Sequence, residues 1–280
     1  MLGRRPCRGV QGSGARGLGR PDLPVSASGV PRRSQCGYRY WLRHVCGFQP
    51  PIVPELGFGK VLHHMVAELA RTAMDGGCPE AGDVERILDD SFYLPFAGPV
   101  PAAKLRRAAQ ERSLNYLHRY GAELSRVVEP EARFEVPLAN ARVRGRIDLV
   151  LRTGDGGGRQ VELVDFKTSS NRPPAEVHQN QMRLYAAAAE RLGLEPVALW
   201  IHDLDDDLAD GEEPRIRVRH DDREREAFAG TLQGWVEGIQ GGRFGPTGAP
   251  GSCRACDFRR FCRYAPEGAR RAHAGHHEAA

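Results

Sequence analysis

The sequence predicts an α/β fold: a core sheet flanked by helices, with a helical segment on its N-terminal side. One observation is the order of the elements, which runs helices, three strands, one helix, two strands and a last helix. A second is the helical spacing of Val61, Leu62 and Met65 in the first strong helix. A third is the pair of strand-like runs at 141–152 and 160–169, joined by a glycine-rich turn.

Each element has its own pattern of apolar residues and turn residues. Helices are predicted over residues 36–46, 59–75, 82–92, 102–125, 174–192 and 221–240. Strands are predicted over residues 131–139, 141–152, 160–169, 196–204 and 214–219. No repeat unit recurs along the chain, so a solenoid or propeller is not expected.

Composition places limits on where this protein works. The chain has 280 residues and is 40% hydrophobic, which is enough apolar material for a core. It contains no run of about 18 apolar residues, so no membrane span is expected. The N-terminus lacks the apolar block of a secretory signal, and we expect a cytoplasmic location. The net charge of +4 permits nucleic-acid binding without favouring it.

The two ends differ in composition from the centre. Residues 1–33 are rich in Gly, Arg, Pro and Ser and are predicted to form a disordered basic arm. This arm could contact DNA or be an unstructured extension. The folded domain is expected over residues 34–264, and residues 265–280 are expected to form a loose tail. An acidic stretch at 203–214 lacks the pattern of a calcium loop and is predicted to be solvated.

Four short motifs carry the residues that could do chemistry. They are GKVLH (Gly59–His63), GRID (Gly145–Asp148), VDFKT (164–168) and QMRLY (Gln181–Tyr185). In a strand, residues i and i+2 point to the same face, so Asp165 and Lys167 project together while Phe166 faces the core. Because the predicted hairpin places Asp148 on the neighbouring strand, both carboxylates could reach one ion.

The residue types fit a divalent metal site. Carboxylate oxygens from Asp148 and Asp165 are ligands that Mg²⁺ prefers, and His63 would add a nitrogen that suits Mn²⁺. The ammonium of Lys167 could stabilise charge on an attacked phosphate. Each motif alone is weak, since an Asp-x-Lys triplet is usually a solvated face and a helical histidine is usually structural. The four in this order are harder to attribute to chance.

The helix after these strands carries two further candidates. Gln181 and Tyr185 stand at i and i+4, so they share one helix face. They could orient the active lysine or contact a DNA backbone. The alternative is an ordinary pair of surface and core residues.

The ordered set GKVLH, GRIDLV, LVDFKT and QMRLY resembles the PD-(D/E)XK nuclease superfamily in its RecB-like branch. The resemblance spans residues 34–264 and implies a restriction-endonuclease-like core sheet. It implies that His63, Asp148 and Asp165 bind Mg²⁺ or Mn²⁺ and that Lys167 assists catalysis. Gln181 and Tyr185 match the Q-x-x-x-Y motif.

The same resemblance suggests a role for the whole chain. The RecB-like branch includes the C-terminal nuclease domains of UvrD/RecB/AddB-type helicase–nucleases. This implies a metal-dependent exonuclease that acts on DNA ends in repair or recombination, with a possible helicase partner. A CRISPR-associated spacer-processing exonuclease and a non-catalytic DNA-binding module are the alternatives.

Cysteines near the two ends form a second candidate site. Cys253, Cys256 and Cys262 have C-x2-C-x5-C spacing, and a metal centre needs a fourth thiolate. Cys36 is the best candidate, because its aromatic context resembles the segment that opens iron–sulfur RecB-like nucleases, although Gly37 replaces the usual proline. Cys46 is its rival.

The resemblance favours a [4Fe–4S] cluster at these cysteines, with Zn²⁺ as the alternative. Such a centre would join the two ends of the folded domain. Cys7 and Cys78 have no partner set and are expected to be plain thiols.

Overall fold

An antiparallel meander of three strands forms the centre of the computed structural model. The structure describes residues 25–49, 52–154, 158–168, 175–204, 214–247, 250–254 and 256–271. The strands are β1 (Val25–Ser26), β2 (Val127–Leu138), β3 (Ala141–Arg152), β4 (Gln160–Lys167), β5 (Glu195–Asp203) and β6 (Arg215–Val218). The longer helices are α3 (Phe58–Met74), α4 (Ala81–Ser91), α5 (Pro99–Tyr120), α6 (Ala175–Arg191) and α7 (Asp222–Gln240). Shorter ones are α1 (Val30–Arg33), α2 (Gly37–Tyr40), α8 (Pro250–Arg254) and α9 (Glu267–Arg271).

The six strands form one mixed sheet in which β3 has three partners. Strands β2 and β4 pair with β3 antiparallel, and β1 pairs with it parallel. Strand β5 lies parallel to β4, because α6 carries the chain back across the sheet between them, and β6 closes the row antiparallel to β5. The predicted α/β class, with a core sheet flanked by helices, is confirmed.

Most predicted elements begin and end within a few residues of the observed ones. Two helices differ in form. The predicted helix 36–46 is α2 followed by a π-helix at Trp41–Val45, and the predicted helix 102–125 gives way to a 3₁₀ turn at Gly121–Arg126. Both differences occur where short segments pack against distant parts of the chain, which helical periodicity does not report.

Buried side chains cover both faces of the sheet. On one face, α6 and α7 pack through residues such as Met182, Leu184 and Leu232. On the other, α3, α4 and α5 pack through residues such as Met65, Leu88 and Tyr116. This second layer holds α3 firmly, so any side chain on its inner face has a defined position above the sheet.

The expected boundaries of the folded part need correction at both ends. Residues 25–33, expected in the disordered arm, belong to the fold, because Val25, Ala27 and Val30 are buried and Val25 pairs with Val143. Near the other end, Glu267–Arg271 forms α9 within the expected tail. The remainder of the arm (1–24, with Cys7), the acidic stretch at 205–213 and residues 272–280 lie outside the described residues.

Gly145, in the GRID motif, is required by close packing. A Cβ atom added there would lie 2.5 Å from the Phe134 ring and 2.7 Å from the Cβ of Ala27. A side chain would therefore push the β1 segment off the sheet. The glycine lets the N-terminal segment cover the strand that carries Asp148. Within the described part of the chain, no helix is long and apolar enough to cross a membrane.

A buried histidine lies in the α3–α5 layer. His202 on β5 is 1% exposed and stacks on Tyr120 with ring centroids 4.6 Å apart. Neither of its ring nitrogens has a hydrogen-bond partner among the described residues. Burial, and then the charge of Arg215, lower the pKa of His202 to about 3. The ring is therefore neutral in the folded protein at neutral pH.

We predict that His202→Phe stabilises the protein, since an unpartnered buried polar group costs on the order of 1–3 kcal/mol. The gain should increase on acidification. Below a pH of about 6.5 the unfolded chain binds a proton at His202 that the folded chain does not, so acid favours the unfolded wild type until about pH 3. Urea unfolding at pH 8 and pH 5 measures this. A stability difference that shrinks at pH 5 would contradict it.

Candidate active site

Asp148 and Asp165 lie opposite each other on neighbouring strands. The last registered pair of β3 and β4 is Leu149 with Val164, and one further step along each strand reaches the two acids. Both are buried, at 5% and 2% exposure. The hairpin expected from the sequence therefore places two carboxylates side by side at the end of the ladder.

A third carboxylate, which sequence reasoning missed, completes the row. Glu131 on β2 falls opposite Asp148, between the registered pairs Pro130–Leu149 and Ala132–Ile147. Its φ of +57° is the left-handed conformation that non-glycine residues rarely adopt. Such strain often marks functional sites. Counting back through the β2–β3 hairpin would have found this acid, but only with the register known.

His63 approaches the row from α3. Its Nδ1 lies 3.0 Å from Oδ1 of Asp148. One ligand atom each from His63, Glu131 and Asp148 come within 4.8 Å of one another, so these residues could hold one metal ion. One nitrogen and two oxygens suit Mn²⁺ or Mg²⁺. Asp165 is not part of that group and stays a predicted ligand.

Asp165 forms an ion pair with Lys167 on the same strand. The intervening Phe166 points into the layer of α3 and α5, as alternation along a strand requires. The backbone N–H of Phe166 donates a 2.7 Å hydrogen bond to Oδ2 of Asp148. The Asp-x-Lys segment thus places its own charges and also orients the acid of the neighbouring strand.

The pKa values of the two central acids are shifted in opposite directions from the ordinary value. Burial raises the pKa of Asp148, but His63, Lys167 and the Phe166 N–H outweigh it, so its pKa lies below the ordinary value. Burial and the charge of Asp148 raise the pKa of Asp165 despite the neighbouring Lys167. Two buried carboxylates that repel each other favour a bound cation. The electrostatics therefore agree with a metal site.

Gln181 and Tyr185 hold the lysine through a chain of hydrogen bonds. The Lys167 ammonium donates to Oε1 of Gln181 at 3.1 Å. The amide nitrogen of Gln181 donates to the Tyr185 hydroxyl at 2.7 Å. Both residues are buried on the inner face of α6. This geometry suits the expectation that the pair orients the lysine.

The four candidate cysteines meet in a second place. Cys36, Cys253, Cys256 and Cys262 all line one cavity, whose lining does not include Cys46. The backbone N–H of Arg39 donates to Sγ of Cys36 at 3.4 Å. Burial, then the nearby Cys36 and Cys262, raise the pKa of the Cys253 thiol. Thiols that influence one another in this way could share a metal centre.

Contacts around this cavity join the two ends of the folded domain. Arg39 forms a 2.9 Å ion pair with Asp257, and the rings of Tyr38 and Tyr264 meet edge to face at 4.8 Å. A Cβ added at Gly37 would lie 2.9 Å from a backbone oxygen of residue 245. A side chain at position 37 would therefore collide with this backbone.

His63, Glu131 and Asp148 therefore form a possible metal site on a mixed sheet flanked by helices. Residues 24–263 match the family model of the PD-(D/E)XK nuclease superfamily, and the chain belongs to that family. No curated protein sequence matches the chain.

Two solved structures resemble the fold. A protein from Eubacterium rectale, described as a candidate exonuclease, superposes with a TM-score of 0.50 at 11% identity, covering 80% of this chain and 83% of that chain. The protein SSO0001 superposes with a TM-score of 0.42 at 12% identity, covering 87% of each chain. At such identities the first likeness concerns the fold alone.

We predict that Glu131→Gln weakens Mn²⁺ binding by about tenfold or more, because the amide removes one negative ligand charge. Isothermal titration calorimetry measures this without any reaction. Glu129→Gln is the matched control, since Glu129 is an exposed acid on the same strand. Equal affinities of the Glu131→Gln protein and the wild type would remove Glu131 from the site.

Proposed function

We propose that this protein is a Mg²⁺- or Mn²⁺-dependent deoxyribonuclease, an exonuclease that acts on DNA ends. The observation that carries the proposal is the row of Glu131, Asp148 and Asp165 across three strands, with His63 above it and Lys167 beside it. These groups can bind a divalent ion and place a positive charge next to it. That combination serves phosphodiester hydrolysis.

Each residue has a role that follows from its position. A divalent ion held by His63, Glu131 and Asp148 would polarise a phosphate and make bound water more acidic. Lys167 supplies positive charge where negative charge develops on the phosphate in the transition state. Asp165 and Gln181 fix the ammonium from two sides, so little reorganisation is needed when DNA binds.

The finer parts of the proposal rest on the motifs. The likeness to the RecB-like branch implies action on DNA ends in repair or recombination and a possible helicase partner, whereas the cytoplasmic location is carried over from the apolar pattern of the sequence. The description of the Eubacterium rectale protein as a candidate exonuclease agrees with end-directed cleavage. The complete set of ligands and lysine argues against a non-catalytic binding module, and a spacer-processing exonuclease would use the same site.

We predict that Lys167→Ala and Asp165→Ala each lower DNA cleavage by about 100-fold or more while the protein stays folded, because Lys167 stabilises the transition state and Asp165 holds its ammonium and is the predicted second metal ligand. Labelled single- and double-stranded DNA with Mg²⁺ or Mn²⁺ provides the assay, and circular dichroism checks folding. Lys104→Ala, at an exposed lysine on α5, should cleave normally. Cleavage by the Lys167→Ala protein at the wild-type rate would refute the assignment.

We further propose that Cys36, Cys253, Cys256 and Cys262 hold a [4Fe–4S] cluster. Their convergence on one cavity supports a shared centre. The sulfurs of a zinc site at a Zn–S distance of about 2.3 Å lie roughly 3.8 Å apart. In the described part of the chain, the cysteine sulfurs form no three-ligand group within 4.8 Å. The arrangement of one cysteine before the nuclease motifs and three after them favours the larger cluster over Zn²⁺.

The cluster has a clear chemical signature. Anaerobically purified protein should be brown, with about four irons and four sulfides per chain. Cys36→Ala should remove the colour and lower Tm by about 5 °C, the shift expected for about 2 kcal/mol in a domain of this size. The physical reason is that loss of the Cys36 thiolate removes the link between α2 and the C-terminal segment.

Matched cysteine variants make this prediction specific. Cys78→Ala, at an exposed thiol, should keep the colour and the Tm. Colour lost in Cys46→Ala but kept in Cys36→Ala would move the fourth ligand to Cys46. A colourless protein with one zinc per chain would replace the cluster by Zn²⁺.

A further inference from the structure

Two aromatic side chains project into solvent from the loop between α4 and α5. Tyr93 is 74% exposed and Phe96 is 47% exposed, whereas Leu94 between them is buried. Phe92 and Ala97 also pack inward against the core. The inward residues therefore anchor the loop, and the two rings are presented on a supported base. Exposed aromatic rings are the side chains on which unpaired nucleic-acid bases stack.

This loop lies against the end of α3 that faces the active site. Leu94 sits beside Gly57, where an added Cβ would be 3.6 Å from its Cδ2. Two residues on, a Cβ at Gly59 would be 3.1 Å from Oγ1 of Thr168, which directly follows Lys167. The start of α3 thus contacts the aromatic loop at Gly57 and contacts Thr168, at the end of the catalytic strand, at Gly59.

The distance from the loop to the metal site suits a short length of nucleic acid. From Gly57 to His63 the helix rises about 9 Å, at 1.5 Å per residue. A few nucleotides of a single strand are enough to span such a length. A strand whose scissile phosphate lies at His63 and Asp148 would have its next bases near Tyr93 and Phe96.

Positive charge lies on the same end of α3. Lys60 is exposed there, and the Arg112 guanidinium lies over the Phe58 ring at 5.3 Å from its centroid. Cations for the phosphates and flat rings for the bases are the two components of single-strand recognition. The bases of a duplex are already stacked on one another and would leave these rings without a partner.

We propose that Tyr93 and Phe96 form a stacking platform for unpaired bases, which makes single-stranded DNA, or a single-stranded end, the preferred substrate. This inference rests on the proposed nuclease function and specifies its substrate class. The loop residues bind substrate and take no part in the chemistry. A protein partner is the other occupant that an apolar loop could accept, and the experiment separates the two.

The test compares wild type with Tyr93→Ala/Phe96→Ala on a labelled single-stranded oligonucleotide and on a blunt duplex. Loss of base stacking should raise KM for the single strand by about tenfold or more. The kcat for either substrate and the KM for the duplex should each change by less than about twofold, because the platform is separate from the reacting groups. Tyr93→Phe/Phe96→Tyr keeps both rings and should behave as wild type.

Leu192→Ala is the matched control, since Leu192 is an exposed apolar residue at the far end of α6 from Gln181. It should alter neither KM. An unchanged KM for the single strand in the double-alanine protein would overturn the inference and leave the loop to a protein partner. Equal rises in KM for single strand and duplex would overturn it too.

A binding measurement separates this inference from the proposed function. Fluorescence anisotropy of the same labelled single strand, with Ca²⁺ in place of the catalytic ion, reports the platform without hydrolysis. Binding that depends on Tyr93 and Phe96 in a protein that cleaves no DNA would refute the nuclease proposal and keep the platform. If the wild type cleaves DNA but its binding of the single strand does not depend on Tyr93 and Phe96, the nuclease proposal is kept and the stacking platform is refuted.

Discussion

The register of β3 with its two antiparallel neighbours is the constraint on which the site depends. It aligns Asp148 with Glu131 on one side and Asp165 on the other. A slip of one residue would turn an acid to the opposite face of the sheet. The register is held by burial on both faces, since the apolar residues of β3 pack into both layers. The chemistry therefore depends on the same packing that stabilises the sheet.

Three carboxylates in one row, of which Asp148 and Asp165 are buried, repel one another, and the surrounding residues offset that cost. Lys167 pairs with Asp165, Arg146 pairs with Glu131, and His63 contacts Asp148. Each acid thus has its own basic neighbour, which keeps the row compatible with a folded state. A divalent ion would add charge that these single contacts cannot supply. The basic neighbours therefore make the row compatible with the fold, and a divalent ion would offset the repulsion that remains.

The two ends of the folded domain meet at the cavity that the four cysteines line. Residues near Cys36 and Cys262 are joined through the Arg39–Asp257 ion pair and the ring contact of Tyr38 with Tyr264. Closing a loop of this length has a substantial entropic cost, so a covalent or metal link there would restrict the unfolded chain most. The active-site strands and α3 lie within that loop.

Local patterns in the sequence determined most of the elements and the four motifs, because apolar periodicity and turn residues act over a few positions. The hairpin of β3 and β4 was predictable for that reason, and with it the neighbouring positions of Asp148 and Asp165. Glu131 was not, since its role depends on the β2 register and on a left-handed backbone that a glutamate does not ordinarily adopt. Residues 25–33 look like a disordered arm in composition, yet Val25 and Ala27 are buried against β3, where Gly145 leaves room for them. Only the tertiary structure decided these points, because neither the register of two strands nor a contact between residues more than a hundred positions apart leaves a periodic pattern in the chain.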